Sequence, residues 1–212
     1  MMVNNFGLNK EEIKILKRLN TPIKIQDFLD SLPFNFEKKG ETYNSPRLVL
    51  KTNKAHCMEG ALLAATALWI NGEEPIILDL RVIHPDTDHI VTLYKRNGLW
   101  GAISKTNHAT VRFRDPIYKT IRELALSYFH EYFWDLDGKK VLRQYSKPFN
   151  LRRLGTNWIT STENLHYIAQ AIDDSYHYDL YPKSQQKFIR NADKMERLAG
   201  SLKEWQKSDP RT

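Results

Sequence analysis

A single cysteine, Cys57, stands among 212 residues. It leaves the chain no internal disulfide and no cluster of thiolates to hold zinc, and a reducing cytoplasm is the compartment expected. Long apolar runs are also missing. None approaches the roughly 18 residues needed to cross a bilayer, so no membrane partner is expected. The N-terminus has no apolar core of the secretory kind. Acidic residues are outnumbered by basic ones, 25 to 32, for a formal charge of +7. The two signs are mixed along most of the chain, with the basic excess most evident in the tail "KSQQKFIRNADKMERLAGSLKEWQKSDPR". A solvated face of an amphipathic helix accounts for that tail better than a nucleic-acid patch, and no zinc-finger spacing or RNA-binding aromatic signature accompanies it. Nucleic acid is therefore not an expected partner.

What remains is ordinary globular material, 41% hydrophobic and 27% charged. Its length suits one domain with elaborations. Asn9 is placed to cap "KEEIKILKRL", and Thr21-Pro22 and Ser45-Pro46 each offer a cap followed by a first-turn proline. The longest apolar helix pattern runs from Cys57 to about Ile70 and stops at Asn71-Gly72. Period two then replaces period 3.6. "PIILDLRVI" reads as a strand, "HIVTLYKRNGLWGAISK" as a hairpin turning at Asn97-Gly98, and "TVRFRD" as a further strand. Asp115-Pro116 is expected to cap a helix through "IYKTIRELALSYFHEYF", and "ENLHYIAQAI" and the tail to be helical. The expected class is α+β, one domain over 1–212 made of a helical lead (1–44), a core (45–115) and a mostly helical extension (116–212).

Cys57 sits where polar sequence gives way to the long helix. Unpaired N–H groups at a helix start favour a thiolate, and a thiolate nucleophile needs an imidazole to carry protons. His89, opening the strand "HIVTLY", is the candidate. If Arg96 pairs with Leu99 across the turn, His89 faces Thr106, and Ala102, Ser104 and Thr106 share its face. The group orienting His89 is then Ser104 or Thr106, or Asn107 if the strand ends there. The Cys57 N–H would form part of an oxyanion hole, with Asn53 as a second donor. Glu59 is read as structural, paired with Lys54 or Arg47. His56 reads as a loop residue beside the centre, and Lys105, Thr106 and His108 as its rim. The run "HPDTDH" (His84, Asp86, Asp88, His89) matches no standard ligand spacing, and turn chemistry explains it without a metal. The aromatic stretches "YFHEYFWDLD" and "YHYDLYP" are read as packing residues.

"CMEGALLAATALWINGEEPIILDL" resembles the nucleophile helix and following strand of the transglutaminase-like superfamily, which has the papain-like cysteine-enzyme fold. "DHIVTLYKRNGLWGAIS" is similar to that family's histidine strand and Gly-x-Trp hairpin. The likeness covers about Ser45 to Asn107, and a bacterial subgroup resembles it more widely, through "RDPIY" and "ELALSYFHEYF". It implies a nucleophile helix packed on a small antiparallel sheet, with acyl transfer or hydrolysis at an amide, thioester or peptide bond through a thioester on Cys57. It implies no cofactor. The family's aspartate falls at Ser104, which leaves a catalytically impaired binding or scaffold module as the rival expectation.

Overall fold

The computed structural model describes residues 6–38, 40–83 and 86–205. Each of the first helices begins where a side-chain oxygen replaces a missing backbone acceptor. Helix α1 (Lys10–Arg18) starts at Asn9, whose Oδ1 accepts from the Glu12 N–H while Glu12 accepts from the Asn9 N–H. Thr21 and Ser45 cap α2 (Pro22–Ser31) and α3 (Pro46–Thr52), each with proline in the first turn. Helix α4 (Cys57–Ile70) is buried continuously from Met58 to Leu68. A helix apolar on every side belongs inside, and α1, α2 and α3 pack around this one. Gly72, at φ 90°, follows its end, and the Asn71 amide donates to the Leu16 and Leu19 carbonyls, fastening α1 to that end.

The strands form one antiparallel sheet: β1 (Ile76–Val82), β2 (His89–Arg96), β3 (Leu99–Ser104), β4 (Arg114–Tyr118), β5 (Leu142–Ser146), β6 (Phe149–Asn150) and β7 (His177–Asp179). Their order is β4-β3-β2-β1-β5-β7, with β6 also on β1. Asn97 and Gly98 both have positive φ, as a two-residue hairpin turn requires. The pairing runs from Arg96↔Leu99 to Val91↔Ser104, the register expected from the turn. Alternation gives the sheet two apolar faces. Ile77, Tyr94 and Ile103 face the core around α4. Leu78, Leu80, Val91, Leu93 and Ala102 pack with Leu124, Ala125 and Tyr128 in a second core. Each leucine, valine or isoleucine among them, fully buried, contributes about 1.5–3 kcal/mol.

Three expectations change. Asp115-Pro116 starts no helix: the pair lies inside β4, an edge strand, where a proline nitrogen is tolerated. The helix there, α5 (Ile121–Ser127), is capped by Thr120 and Glu123 instead. The basic tail is not one helix but a 3-10 segment, Lys183–Phe188, and a separate short helix capped by Asp193. In chain order these last helices are α6 (His166–Asp173) and α7 (Lys194–Gly200). Finally, the segment after residue 115 is less helical than expected, since it supplies β5, β6 and β7 to the sheet that carries His89. Residues 206–212, the end of the tail, lie outside the described residues. Among those described, no helix is long and apolar enough to cross a membrane.

Candidate active site

Glu59 organises the start of α4. Its carboxylate is fully buried and accepts from Asn35 Nδ2, Thr42 Oγ1, the Asn44 backbone and side-chain amides, and the His56 N–H. It thus completes a capping box with His56 and pins the 35–44 loop against the helix end. The expected basic partners are elsewhere: Arg47 pairs with Glu12, and Lys54 is exposed. A carboxylate one turn into the helix also suits the helix dipole. Gly60 completes the packing, because a Cβ there would lie 2.5 Å from Lys105 Cβ, just beyond β3.

Two imidazoles flank the half-buried thiol of Cys57. His56 Nε2 lies 2.6 Å from the Thr42 carbonyl, which can only accept, so that nitrogen carries a proton. Its Nδ1 faces Cys57 Sγ at 4.0 Å and the Met58 N–H at 3.3 Å. A neutral ring caps Met58; a charged ring turns that nitrogen into a donor for the thiolate. His89 Nε2 is 2.8 Å from Ser104 Oγ, and that hydroxyl donates to the Val111 carbonyl at 2.7 Å. With its one proton committed, Ser104 accepts from His89 Nε2–H. Nδ1 is then the nitrogen left to serve Cys57, whose thiol pKa the His89 ring helps to lower.

Burial pushes the Cys57 thiol up, but His56 and then His89 outweigh it and bring the pKa down to about 5. For His56, burial disfavours the charge; the adjacent thiolate, Glu59 and the Thr42 carbonyl overcome it and raise the ring to about 9. The arrangement favours a thiolate beside an imidazolium, the activated form of a cysteine nucleophile.

Of the residues expected here, Cys57, His89 and Ser104 come together, and of the three candidates beside His89 it is the Ser104 side chain that meets the ring. Asn107 is buried, and its carbonyl accepts from the Glu204 N–H. Thr106 Oγ1 accepts from the His108 N–H. Asn53 is exposed at the left-handed end of α3 and does not line the cavity beside Cys57, so the structure does not bring it to the site. Lys105 points away too, its ammonium donating to the Leu29 and Leu32 carbonyls at the end of α2. His108 lines a separate cavity with Tyr132 and Lys203. In "HPDTDH", Asp86 and Asp88 accept from the Thr87 and Val82 N–H groups, while His84 lies outside the described residues. Among the described residues no three metal-ligating side chains converge.

The thiol opens on a cavity of about 790 Å³ walled by Tyr43, Asp79, Ile90 and His166. Tyr43 meets both His56 and His166 edge-on. Two features were hidden in the sequence: the role of His56, and Asp79, whose carboxylate meets His177 across 98 positions of chain. His56 does carry one signal, a histidine three residues before a glutamate at a helix start. The chain matches no family model and no curated protein.

Proposed function

We propose that this protein is a cysteine-dependent acyl-transfer or hydrolytic enzyme with a transglutaminase-like core, acting on a peptide or other amide substrate. One observation carries the reading: a cavity-facing thiol on the first turn of a buried helix, set between two imidazoles of which one is oriented by Ser104. The Cys57 sulfur attacks the carbonyl carbon, and the oxyanion that forms lies near the Cys57 N–H, which has no acceptor within its helix. His89, having taken the thiol proton on Nδ1, gives that proton to the nitrogen as the carbon–nitrogen bond breaks. The amine departs and a thioester remains. Water, or a second amine, then attacks the thioester while His89 takes its proton, and the thiolate is restored. His56 holds the thiolate by charge rather than by proton transfer.

Iodoacetamide labelling read by mass spectrometry tests this. Cys57 in the full chain is expected to label at least tenfold faster than free cysteine at pH 6.5, and His89→Ala to change that rate. Labelling no faster than free cysteine and indifferent to His89→Ala would overturn the reading. Ser104 in place of a carboxylate favours a second one, an impaired enzyme fold serving as a binding module. That reading fits a thiol that labels quickly yet forms no thioester with any peptide amide offered.

A further inference from the structure

The cavity beside Cys57 contrasts with the rest of the chain. The protein carries a formal charge of +7, yet the residues walling this cavity include Glu37, Glu41, Asp79, Asp88 and Asp173 and neither lysine nor arginine. Arg81 reaches one of them from outside, pairing with Asp173. The others have other tasks or none: Glu37 accepts from the Thr42 N–H, and Asp88 from the Val82 N–H.

Asp79 is the exception that points to a ligand. It projects from β1 toward the α4 side of the sheet, since its neighbours Leu78 and Leu80 belong to the opposite core. It is 2% exposed. Its N–H is met by Ser146 Oγ and its Oδ2 by His177 Nε2 at 3.0 Å, but Oδ1 is buried with no hydrogen-bond partner among the described residues. A buried carboxylate oxygen left without a donor costs on the order of 1–3 kcal/mol or more. The two nitrogens of His177 face the Ser175 carbonyl and Asp79, so the ring is fully engaged and offers Oδ1 nothing. Asp88 bears the imprint of the crowd: burial first, and then the charge of Asp79, raise its carboxyl to about 6. Tyr43 and Tyr167 add aromatic walls of the kind that accommodate cations.

We propose that this cavity is a specificity subsite for a positively charged side chain, an ammonium or guanidinium group borne by the acyl-donating substrate, with Asp79 Oδ1 as its innermost acceptor. The proposal rests on Cys57 being the reacting thiol, because the subsite matters only for a chain that presents its carbonyl there. A cation enters against the overall charge of the protein, so its preference is local in origin and separable from long-range attraction. The cation also supplies the donor that Oδ1 lacks, and it offsets the repulsion between Asp79 and Asp88. A neutral amide could supply that donor but would leave the charge of Asp79 and Asp88 unbalanced.

The test uses the full chain and three thiol reagents of one size class: 2-aminoethyl, 2-hydroxyethyl and 2-sulfonatoethyl methanethiosulfonate. Each rate at Cys57 is divided by the rate with free cysteine, which removes the intrinsic reactivity of the reagent and its attraction to a thiolate. The expected order is ammonium over hydroxyl over sulfonate, with at least a tenfold span. Asp79→Asn is expected to bring the ammonium-to-hydroxyl ratio to about one, whatever it does to either rate alone. A preference for sulfonate, as the net charge alone favours, would overturn the subsite, and so would an ammonium preference that survives Asp79→Asn. If that variant does not fold, protection in the unaltered chain decides. Agmatine is expected to slow 2-hydroxyethyl labelling, and pentanoate not to; equal effects would sink the proposal. Thiol activation is read separately, from the hydroxyethyl rate against free cysteine, so either idea can fail without the other.

Discussion

His89 Nε2 and Ser104 Oγ stand 2.8 Å apart, and the serine proton is already committed to the Val111 carbonyl. This makes the pair directional. The hydroxyl accepts from the imidazole, fixes its tautomer and leaves the other nitrogen without the proton. A carboxylate at 104 would accept equally well from His89, but it has no proton for Val111.

Ser104→Asp is therefore not expected to be an improvement. It sets a buried carboxylate against a carbonyl oxygen and should cost about 1–3 kcal/mol. Ser104→Asn offers an acceptor to His89 and a donor to Val111, and should keep more of the Cys57 labelling rate than Ser104→Asp or Ser104→Ala. Denaturant melts and iodoacetamide kinetics on the three variants check the order. An aspartate variant both more stable and faster would show that the serine is not suited to its place.

The rate of Cys57 alkylation should rise with a midpoint near pH 5 and be on its plateau by pH 6.5, because the imidazoles beside the thiol bring its pKa down to about 5. Free cysteine climbs through about 8.5. The sign follows from charge: His56 is raised to about 9, so it is cationic across the plateau and loses its hold on the thiolate only above that pH. His56→Ala should move the midpoint upward. A midpoint that stays near 5 without His56 would assign the whole effect to His89 and the helix start.

Gly60→Ala should destabilise the protein although alanine is the better helix former. The propensity gain is about 1 kcal/mol, whereas a methyl 2.5 Å from Lys105 Cβ forces α4 and the end of β3 apart. Overpacking of that kind costs about 1–3 kcal/mol. Chemical denaturation reads the balance, and a stabilised variant would mean that the contact yields freely.

Glu59→Ala removes the common acceptor of Asn35, Thr42, Asn44 and the His56 N–H. About 3 kcal/mol of stability should go with it, and faster proteolysis should appear within residues 35–44. A cleavage pattern identical to the parent chain would show that the loop is held by other means.

Much of this was legible where chemistry is local. Asn9, Thr21-Pro22 and Ser45-Pro46 announce their helices because a cap acts within three residues. The Asn97-Gly98 turn sets the register that puts Ser104 on the His89 face. Asp115-Pro116 misled for a related reason: the pair suits a helix start or an edge strand, and pairing with β3 decided between them. The contacts of Glu59, and of Asp79 with His177, join segments far apart in the chain, and nothing near a carboxylate in sequence says which distant donor it will meet. His56 gives little away in sequence because its meaning comes from the Thr42 carbonyl, brought to it by the 35–44 loop, as well as from Glu59 one turn along α4.

The Glu59 knot has a bearing on how the site could change. One side chain both begins the helix that carries the thiol and anchors the loop from which Glu37, Glu41 and Tyr43 reach the cavity. Reactivity and selectivity are thereby inherited together. Redesign of that wall for another ligand would retune the nucleophile at the same stroke, whereas changes made from the β1 side, at Asp79, leave the helix start untouched.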